Sequence, residues 1–526
     1  MEDETNAEPP LIIDAELCHQ VAQGLHRDGR EGEAETFYRA ALSLAPGRPD
    51  SWAALGLAIL KEGRAEEAVL CERESLRLDP TNPETHNSLG IAMHALNALA
   101  EAENHFRGAL RLRPDHPNAT LNLGVVRQSL GHLAEAEALY RRAQALGVDT
   151  ARACNNLALV LAEQGHLAAA EQACRDALAA SPGYAEAEVN LAMILLTRGH
   201  LAEAWPRYEA RWRIAPLRSR SGHPEETRWT GAEPVAGRTI LLHAEQGFGD
   251  TLHFCRYAPL AADLGARVIL AVPPALLRLM GSLRGVDQVV SGEDTPPPFD
   301  LHCPLMSLPL AFRTTPDTIP VGVPYLTPDP ALVRAWDALL QSAHATAGPR
   351  IGLVWAGGAR PHQPHAAAID KRRSMTLADM APLGVVPGGA VPGGALRGGA
   401  VARGALPECV FVSLQCGPPA RQADTAPFPL LDLTSRLDDF ADTAALIETL
   451  DLVIAVDTAV AHAAGALGKP VWLLSRFDAC WRWLQDRDDT PWYPTMRLFR
   501  QTSPGDWEGV IRRVAEALAE FREAGV

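Results

Sequence analysis

The sequence predicts an α-solenoid of helical repeats followed by an α/β unit of parallel sheets in two lobes. The first observation is that several residue types recur every 34 residues, as in the step from Pro46 to Pro80. The second is that, from Arg238 onward, short apolar runs alternate with segments of helical spacing. Such alternation is typical of parallel sheets with right-handed crossovers. The third is that the alternation starts again at Arg350, which predicts a second lobe.

The repeat positions carry prolines, alanines and aromatic residues on one spacing. The prolines, interrupted at Val148, are Pro46, Pro80, Pro114, Pro182 and Pro216. The alanines are Ala34, Ala68, Ala102, Ala136, Ala170 and Ala204, and the aromatic residues are Tyr38, Phe106, Tyr140 and Tyr208. Small residues let two antiparallel helices approach closely, and proline ends the second helix because it lacks an N–H donor. The pattern resembles tetratricopeptide repeats over about residues 15–215.

Asparagine recurs directly before a Leu-Gly or Leu-Ala pair, at Asn122, Asn156 and Asn190. Stacked helical repeats present a long concave surface to a partner. An asparagine side chain both donates and accepts hydrogen bonds, so a row of them can hold an extended peptide of any sequence. Protein O-GlcNAc transferases are similar in this respect. We therefore predict that these residues bind a protein acceptor; the alternative is that each amide hydrogen-bonds its own scaffold.

The last repeat unit carries Trp205, Tyr208 and Trp212. Their spacing predicts one apolar helix face, which Pro206 would kink. We expect this face to pack the repeats against the segment that follows them.

The α/β part is predicted to contain strands at 239–243, 266–272, 286–290 and 299–304, and helices at 251–264 and 331–341. A second set of elements begins with 350–358 and continues with strands at 410–414, 452–456 and 470–474. Ligands of such folds bind in the crevice outside the carboxyl ends of the strands.

The segment 452–474 carries the first candidate for a ligand site. An apolar strand is followed by Asp457 and Thr458 and then by small residues with helical spacing. The free N–H groups and the dipole at the start of a helix favour an anion such as a diphosphate. We predict that Asp457, Thr458 and His462 face this crevice. The alternative is that the first two residues only cap a helix and that His462 is a half-buried surface residue.

Length and charge limit the class of protein. A chain of 526 residues is expected to form about two to four domains. The formal charge of −16 argues against non-specific binding of nucleic acid or anionic lipid. The start is acidic, unlike a signal peptide, and no apolar run is long enough for a membrane helix, so we expect a cytoplasmic protein. The nine cysteines form no Cys-x-x-Cys pair, so neither zinc nor a disulfide framework is expected.

These patterns divide the chain into five predicted parts. They are a disordered leader at 1–14, the repeats at 15–215, a linker at 216–236, a first Rossmann-like lobe at 237–345 and a second at 346–526. Residues 384–406 are rich in glycine, alanine and valine without a periodic face, and we expect a disordered insertion there.

Short motifs are spread over most of residues 236–505, at 243–257, 351–357, 413–417, 456–470, 481–484 and 491–501. Together with the repeats they resemble bacterial proteins that fuse tetratricopeptide repeats to a glycosyltransferase-like unit, itself similar to lipopolysaccharide heptosyltransferases of the GT-B fold. The resemblance implies a GT-B-like pair of lobes. It also implies an inverting, metal-independent transfer of a sugar from a nucleotide-sugar, which serves as donor substrate without a further cofactor.

The resemblance further implies that Asp250, in the first Gly-Asp loop, is the general base. A carboxylate in this role must reach the acceptor hydroxyl on the face opposite the departing diphosphate. Glu245 is the competing candidate. The alternative for Asp250 is a cap on a helix that begins at Thr251.

The predicted nucleotide-sugar-binding residues are Asp457, Thr458, Ala459, His462, Lys371, Arg373 and Gln415. Backbone N–H groups and basic side chains would bind the diphosphate, since no acidic metal-binding pair is apparent. The basic run at 371–373 could equally be a solvated loop. Heptosyltransferases usually carry glycine at the position of Ala459, and a Cβ there limits the approach of a phosphate. The identity of the donor therefore does not follow from the resemblance.

The tryptophans and tyrosine at Trp481, Trp483, Trp492 and Tyr493 could stack on a base or a sugar, but we expect them to pack the final helices. The whole pattern predicts a glycosyltransferase whose repeats recruit a protein acceptor. Two alternatives stay open: a non-catalytic repeat scaffold with a degenerate transferase unit, and a lipopolysaccharide heptosyltransferase.

Overall fold

A computed structural model describes residues 14–214, 222–343, 348–358, 364–384 and 409–523. The predicted leader, up to residue 13, lies outside these residues, as do the start of the predicted linker and residues 385–406 of the predicted insertion. The chain divides into two compact units, Met1–Pro182 and Gly183–Val526. The predicted end of the repeats at residue 215 therefore lies inside the second unit.

Twelve α-helices of 8 to 14 residues follow one another from residue 15 to residue 208, which confirms the predicted array of helical repeats. In the first unit they are α1 Ala15–Arg27, α2 Glu31–Leu44, α3 Pro49–Lys61, α4 Ala65–Leu78, α5 Pro83–Ala95, α6 Leu99–Leu112, α7 Pro117–Ser129, α8 Leu133–Ala145, α9 Thr150–Glu163 and α10 Leu167–Ala180. The second unit begins with α11 Ala185–Thr197 and α12 Leu201–Tyr208.

Glycine and an aromatic ring pack against each other inside each of two repeats. A Cβ on Gly90 would lie 2.6 Å from the ring of Phe106, and one on Gly124 would lie 2.6 Å from the ring of Tyr140. These approaches explain the Leu-Gly pairs and the aromatic position of the repeat, because any side chain at the glycine would displace the ring.

The repeat formed by α3 and α4 departs from this rule. Glu72 occupies the aromatic position, fully buried against Gly56. Neither of its carboxyl oxygens has a hydrogen-bond partner among the described residues. Burial therefore raises the pKa of Glu72 well above its usual value.

The first part of the α/β region is a four-stranded parallel sheet in the order β3-β2-β1-β4. Its strands are β1 Thr239–His243, β2 Arg267–Val272, β3 Gln288–Ser291 and β4 Leu301–Pro304. The accompanying helices are α13 Phe248–Phe254, α14 Ala258–Asp263, α15 Leu277–Met280 and α16 Leu308–Ala311.

The second part is a six-stranded parallel sheet in the order β10-β9-β8-β5-β6-β7. Its strands are β5 Arg350–Val354, β6 Val410–Ser413, β7 Leu430–Asp432, β8 Leu452–Val456, β9 Val471–Ser475 and β10 Met496–Arg500. Its helices are α17 Pro330–Ala343, α18 Pro364–Arg373, α19 Phe440–Glu448, α20 Ala459–Ala466 and α21 Trp507–Glu523.

If the six strands of the second sheet are numbered from 1 to 6 along the chain, the order in the sheet is 6-5-4-1-2-3. This is the strand order of a doubly wound α/β fold, and ligands of such folds bind where the order reverses. That point lies between β5 and β8. Both central strands are apolar and almost wholly buried, as strands covered on both faces must be. The predicted parallel sheets are confirmed, although β7 and β10 were not among the predicted strands.

The helix predicted at 251–264 is different in the structure. It begins at Phe248, changes to a 3-10 turn at Cys255–Tyr257, and resumes as α14. No helix among the described residues is both long and apolar enough to cross a lipid bilayer.

Candidate functional site

Among the predicted binding residues, Gln415 lies just beyond the carboxyl end of β6, and Asp457 and Thr458 lie just beyond that of β8. The Gln415 side-chain oxygen, just beyond β6, accepts hydrogen bonds from the N–H groups of Trp355 at 3.1 Å and Ala356 at 2.8 Å. Arg373, at the end of α18, donates from Nη1 to the carbonyl oxygen of Asp457 at 3.0 Å. The fold thus joins the ends of β5, β6 and β8 at the point where the strand order reverses.

Gln415 is buried; its side-chain oxygen ties these strand ends together, and its Nε2 donates to the Cys416 carbonyl oxygen at 3.0 Å. Arg373 lies over the backbone of Gly357, where a Cβ would come within 2.5 Å of its Nε. Both residues therefore shape the floor of the crevice. Lys371 is exposed on α18, and its neighbour Arg372 pairs with Asp478 at 2.9 Å.

Thr458 occupies the N-cap position of α20, but its side chain makes no capping hydrogen bond. The Thr458 hydroxyl is buried without a hydrogen-bond partner among the described residues. A buried hydroxyl left unpaired costs about 1–3 kcal/mol. Thr458 is therefore the N-cap residue by position, but its hydroxyl does not cap the helix.

The start of α13 lies against the start of α20. A Cβ on Gly249 would be 3.6 Å from the Cα of Ala459 and 3.0 Å from the ring of His462. The turn that carries Asp250 and the turn that carries Thr458 are consequently neighbours.

Asp250 lies in the first turn of α13, whose N-cap is Gly247. Its Oδ2 accepts a hydrogen bond from the Gly247 N–H at 3.1 Å, and its Oδ1 pairs with the guanidinium of Arg482. Asp250 is therefore not the N-cap residue, as the alternative had it, because the helix begins at Phe248 and not at Thr251; its carboxylate instead binds the N–H of the N-cap residue from within the first turn. About a quarter of the Asp250 side chain remains exposed.

Glu245, the competing carboxylate, is enclosed in a buried ion pair. Its side chain is 4% exposed and lies 3.0 Å from Nη2 of Arg211. Burial raises the pKa of Glu245, and Arg211 opposes that effect. Arg211 also binds Glu209 at 2.6 Å and Ser307 at 2.7 Å. Glu245 in this conformation is a structural residue that holds the loop after β1.

His462 does not face an open crevice. The residue is 4% exposed, and its ring stacks on Trp483 with centroids 5.3 Å apart and has Nδ1 2.9 Å from the Tyr493 hydroxyl. Burial lowers the pKa of His462 to about 3. The imidazole is therefore neutral near pH 7 and cannot serve as a positive clamp on a diphosphate. Its Nε2 remains 4.0 Å from a carboxylate oxygen of Asp457.

The aromatic cluster of Trp481, Trp483, Trp492 and Tyr493 is buried, as expected of packing residues, but among the described residues its rings pack against α13 and α20 and not against the final helices as predicted. The Tyr493 hydroxyl also lies 3.0 Å from Nδ1 of His253 on α13. Arg256 donates to the Trp492 carbonyl oxygen and lies 4.5 Å from the Tyr493 ring. This network joins the two sheet-bearing parts beneath the predicted site.

Two residues of the predicted face of the last repeat unit, Trp205 and Tyr208, pack against the segment that follows, whereas Trp212 lies beyond the helix in a 3-10 turn. Trp205 and Tyr208 are buried, and Trp205 donates from Nε1 to the Thr314 carbonyl oxygen at 3.1 Å. The helix ends at Tyr208 and continues as a 3-10 turn to Arg213, with Pro206 inside its last turn.

The three predicted acceptor-binding asparagines lie on the first helices of their repeats, half-buried, at corresponding positions of α7, α9 and α11. Asn122 donates a hydrogen bond to the side chain of Asn87 at 2.9 Å, which is the scaffold role named as its alternative. Asn156 lies beside the buried Asn155 in α9. Asn190 belongs to the second unit.

Among the described residues, no three His, Cys, Asp or Glu side chains are grouped so that they could hold a metal ion. All nine cysteines are free, and seven of them are buried.

Two arginines, Arg482 and Arg211, contact the candidate carboxylates but were not predicted from the sequence. Arg482 lies in the motif at 481–484, yet nothing in that motif indicates a partner 232 residues away. Arg211 is likewise an ordinary basic residue in the sequence, and only the fold shows its burial.

Comparisons with known proteins identify the first part of the chain. Residues 24–83, 93–157 and 150–181 each match a family model described as tetratricopeptide repeat. The amino-terminal part of this chain consists of tetratricopeptide repeats. Among solved structures, a tetratricopeptide-repeat protein of Thermus thermophilus is 25% identical with a TM-score of 0.32 and covers 35% of this chain and 99% of its own. PilF of Pseudomonas aeruginosa is 20% identical with a TM-score of 0.34 and covers 38% and 92%.

The tetratricopeptide-repeat chain is also similar to the protein FlbA of Caulobacter vibrioides, with 26% identity over 349 residues. The alignment covers 61% of this chain and 52% of FlbA, so the chain spans about half the length of that relative. The repeats end before residue 216 and so occupy at most about 41% of the 526 residues. Because the alignment covers 61% of the chain, the similarity extends beyond the repeats into the α/β part.

Proposed function

We propose that the protein is a glycosyltransferase of GT-B type that moves a sugar from a nucleotide-sugar to a protein acceptor recruited by the tetratricopeptide repeats. The observation that carries the proposal is the approach of α13 to α20. The helix turn that carries Asp250 lies next to the N-terminus of α20, whose N-cap hydroxyl, on Thr458, is buried and unpaired in the described chain.

The N-terminus of α20 supplies the groups that a diphosphate requires. The first N–H groups of a helix have no partner within it, and the helix dipole favours negative charge there. The Thr458 hydroxyl adds a donor, and Arg373 lies one hydrogen bond away, on the carbonyl oxygen of Asp457. In a metal-independent transfer these donors would stabilise the charge that develops on the leaving group.

Asp250 is the better placed of the two candidate bases. Glu245 is almost fully buried and bound to Arg211, whereas Asp250 is partly exposed at the start of α13. A carboxylate has about four lone-pair sites, so the contacts with Gly247 and Arg482 leave sites for an acceptor hydroxyl. Asp250 would accept the proton of that hydroxyl while the sugar is transferred.

The acceptor is proposed to be a protein because repeats of this kind present a long surface to a protein partner. Asn122, Asn156 and Asn190 would hold its backbone. Triple substitution of these residues by alanine should reduce acceptor modification without changing hydrolysis of the donor, and unchanged modification would disprove their role.

The first experiment is a thermal-shift screen of nucleotides and nucleotide-sugars, because a ligand that binds only the folded state raises the melting temperature. A hit that transfers label to a protein supports the proposal. No nucleotide binding supports the non-catalytic scaffold, since Asp250 is already paired in this conformation. Label in lipid and not in protein supports a lipopolysaccharide heptosyltransferase.

A further inference from the structure

One candidate carboxylate, Glu245, lies in the loop between β1 and α13, and the other, Asp250, lies in the first turn of α13. A buried arginine from elsewhere in the second unit binds each of them. Arg211 follows the last repeat helix and binds Glu245. Arg482 lies in a 3-10 turn, Trp481–Trp483, and binds Asp250. Arg211 thus fixes the loop, and Arg482 fixes the start of the helix that follows it.

The contacts of Arg211 leave it little freedom. Its side chain is 1% exposed, and its guanidinium lies 4.4 Å from the ring of Tyr208 and 4.7 Å from that of Trp212. It donates to Glu245, Glu209 and Ser307. A buried arginine with this many partners holds them in one geometry, because moving it would leave several buried polar groups unpaired.

Arg482 is held less completely. Its guanidinium lies 4.3 Å from the Trp481 ring and 5.5 Å from that of Phe254, and Nη1 is 3.2 Å from the Cys480 sulfur. Its Nε is buried without a partner among the described residues. The orientation of Arg482 therefore depends on the rings that pack on it more than on hydrogen bonds.

One of those rings contacts the last repeat helix. Trp205 on α12 packs edge-on against Trp481, with ring centroids 5.5 Å apart, and both side chains are 2% exposed. The Trp205 indole is itself fixed by its hydrogen bond to Thr314. A continuous series of contacts therefore runs from α12 through Trp481 and Arg482 to Asp250.

We propose that Arg482 is a positioning residue for Asp250, and that Trp205 on the last repeat helix fixes Arg482 through Trp481. The inference rests on the proposed function for its catalytic meaning. Asp250 Oδ1 is set by Arg482 and Oδ2 by the Gly247 N–H, so the free lone pairs point in fixed directions. The end of the repeat array thereby determines how the base is presented.

The structural test is hydrogen exchange of the full-length protein, followed by mass spectrometry of peptides that contain residues 247–254. Arg482→Met and Trp205→Ala should each speed exchange in this segment about tenfold, because the helix start loses its fixed carboxylate. Two substitutions in the same unit are controls: Arg278→Met removes a half-exposed arginine that pairs with Asp439, and Trp229→Ala removes a buried indole. Neither should change the exchange rate of residues 247–254.

If either larger substitution prevents folding, Arg482→Lys and Trp205→Phe replace them, with smaller increases expected. Exchange in 247–254 equal to that of the wild type in folded Arg482 and Trp205 variants would overturn the proposal. This readout needs no substrate, so it remains decisive even if the protein binds no nucleotide and the proposed function fails.

A kinetic test applies once a nucleotide-sugar is turned over. Arg482→Lys should lower kcat about 10- to 100-fold while KM for the donor stays within about twofold, since positioning of a general base affects the chemical step. A KM that rises 10- to 100-fold while kcat stays unchanged would contradict a positioning role.

Discussion

Gly249 of α13 lies directly against Ala459, the first residue of α20, at a distance that a side chain on the glycine would close to van der Waals contact. The contact brings together two helix starts that are separated by more than 200 residues in the chain. Asp250 and Thr458 are the polar residues beside it, and the predictions about function follow from this arrangement.

Thr458→Val should separate stability from binding. The substitution removes a buried hydroxyl that has no partner in the described chain, so the free energy of unfolding should stay the same or rise by up to about 1 kcal/mol. Affinity for the nucleotide should fall about tenfold, or about 1.4 kcal/mol. Calorimetric unfolding and titration of the nucleotide measure the two effects.

The matched control is Thr490→Val. The Thr490 hydroxyl donates to the Arg482 carbonyl oxygen at 3.0 Å, so this substitution should destabilise the protein by about 1–3 kcal/mol. Unchanged nucleotide affinity in Thr458→Val would show that its hydroxyl does not bind the ligand.

Glu72→Phe should stabilise the repeats. Gly56 leaves the space that Gly90 and Gly124 leave for aromatic rings, and the substitution replaces an unpaired buried carboxyl. We expect a gain of about 1–3 kcal/mol, measured by chemical unfolding at pH 7. Glu74→Phe on the same helix is the control and should give no gain, because the Glu74 side chain is 32% exposed and already pairs with Arg77.

The pH dependence of the same carboxyl has a defined sign. The folded-state pKa of Glu72 is raised above its usual 4.5, so its contribution to stability is complete below pH 4.5 and is lost as pH rises through the folded pKa. The wild type should lose more stability than Glu72→Phe when the pH is raised from 5 to 8. Parallel profiles would contradict the burial of an unpaired carboxyl.

Acid should destabilise the second unit through its buried histidines. Burial lowers the pKa of His462 and of His243 to about 3, so the unfolded chain binds more protons below the ordinary value of 6.5. Stability should therefore fall as pH drops below about 6.5, by up to about 1.4 kcal/mol per pH unit for each histidine. His462→Gln should flatten the profile, whereas exposed His200→Gln should not.

Much of the fold could be predicted because its signals are local. Most repeat units carry their own proline and their own Leu-Gly or similar pair, so the repeats can be recognised from short segments of sequence. The strand β8 is a continuous apolar run. The strand β7 has only three residues, too few to show a pattern. The start of α13 was misplaced because Gly247 makes the N-cap and Asp250 returns to it from the helix.

The site was harder to predict than the fold. Asp457 and Thr458 follow a strand and could be named from the sequence, and the structure brings the next residue, Ala459, to Gly249. The partners of the two carboxylates could not be named from the sequence. The pairing of Asp250 with Arg482 and of Glu245 with Arg211 depends on how distant segments of the chain pack. Burial likewise decides that His462 is neutral.

The most direct test of the central claim is release of nucleotide from a panel of labelled nucleotide-sugars by the purified full-length protein, compared with Asp250→Asn. We expect the wild type to release nucleotide and transfer the sugar to a protein acceptor. Asp250→Asn should lower the rate at least about 100-fold while still binding the nucleotide. Equal rates in the two proteins, or no binding of any nucleotide-sugar by the wild type, would contradict the account.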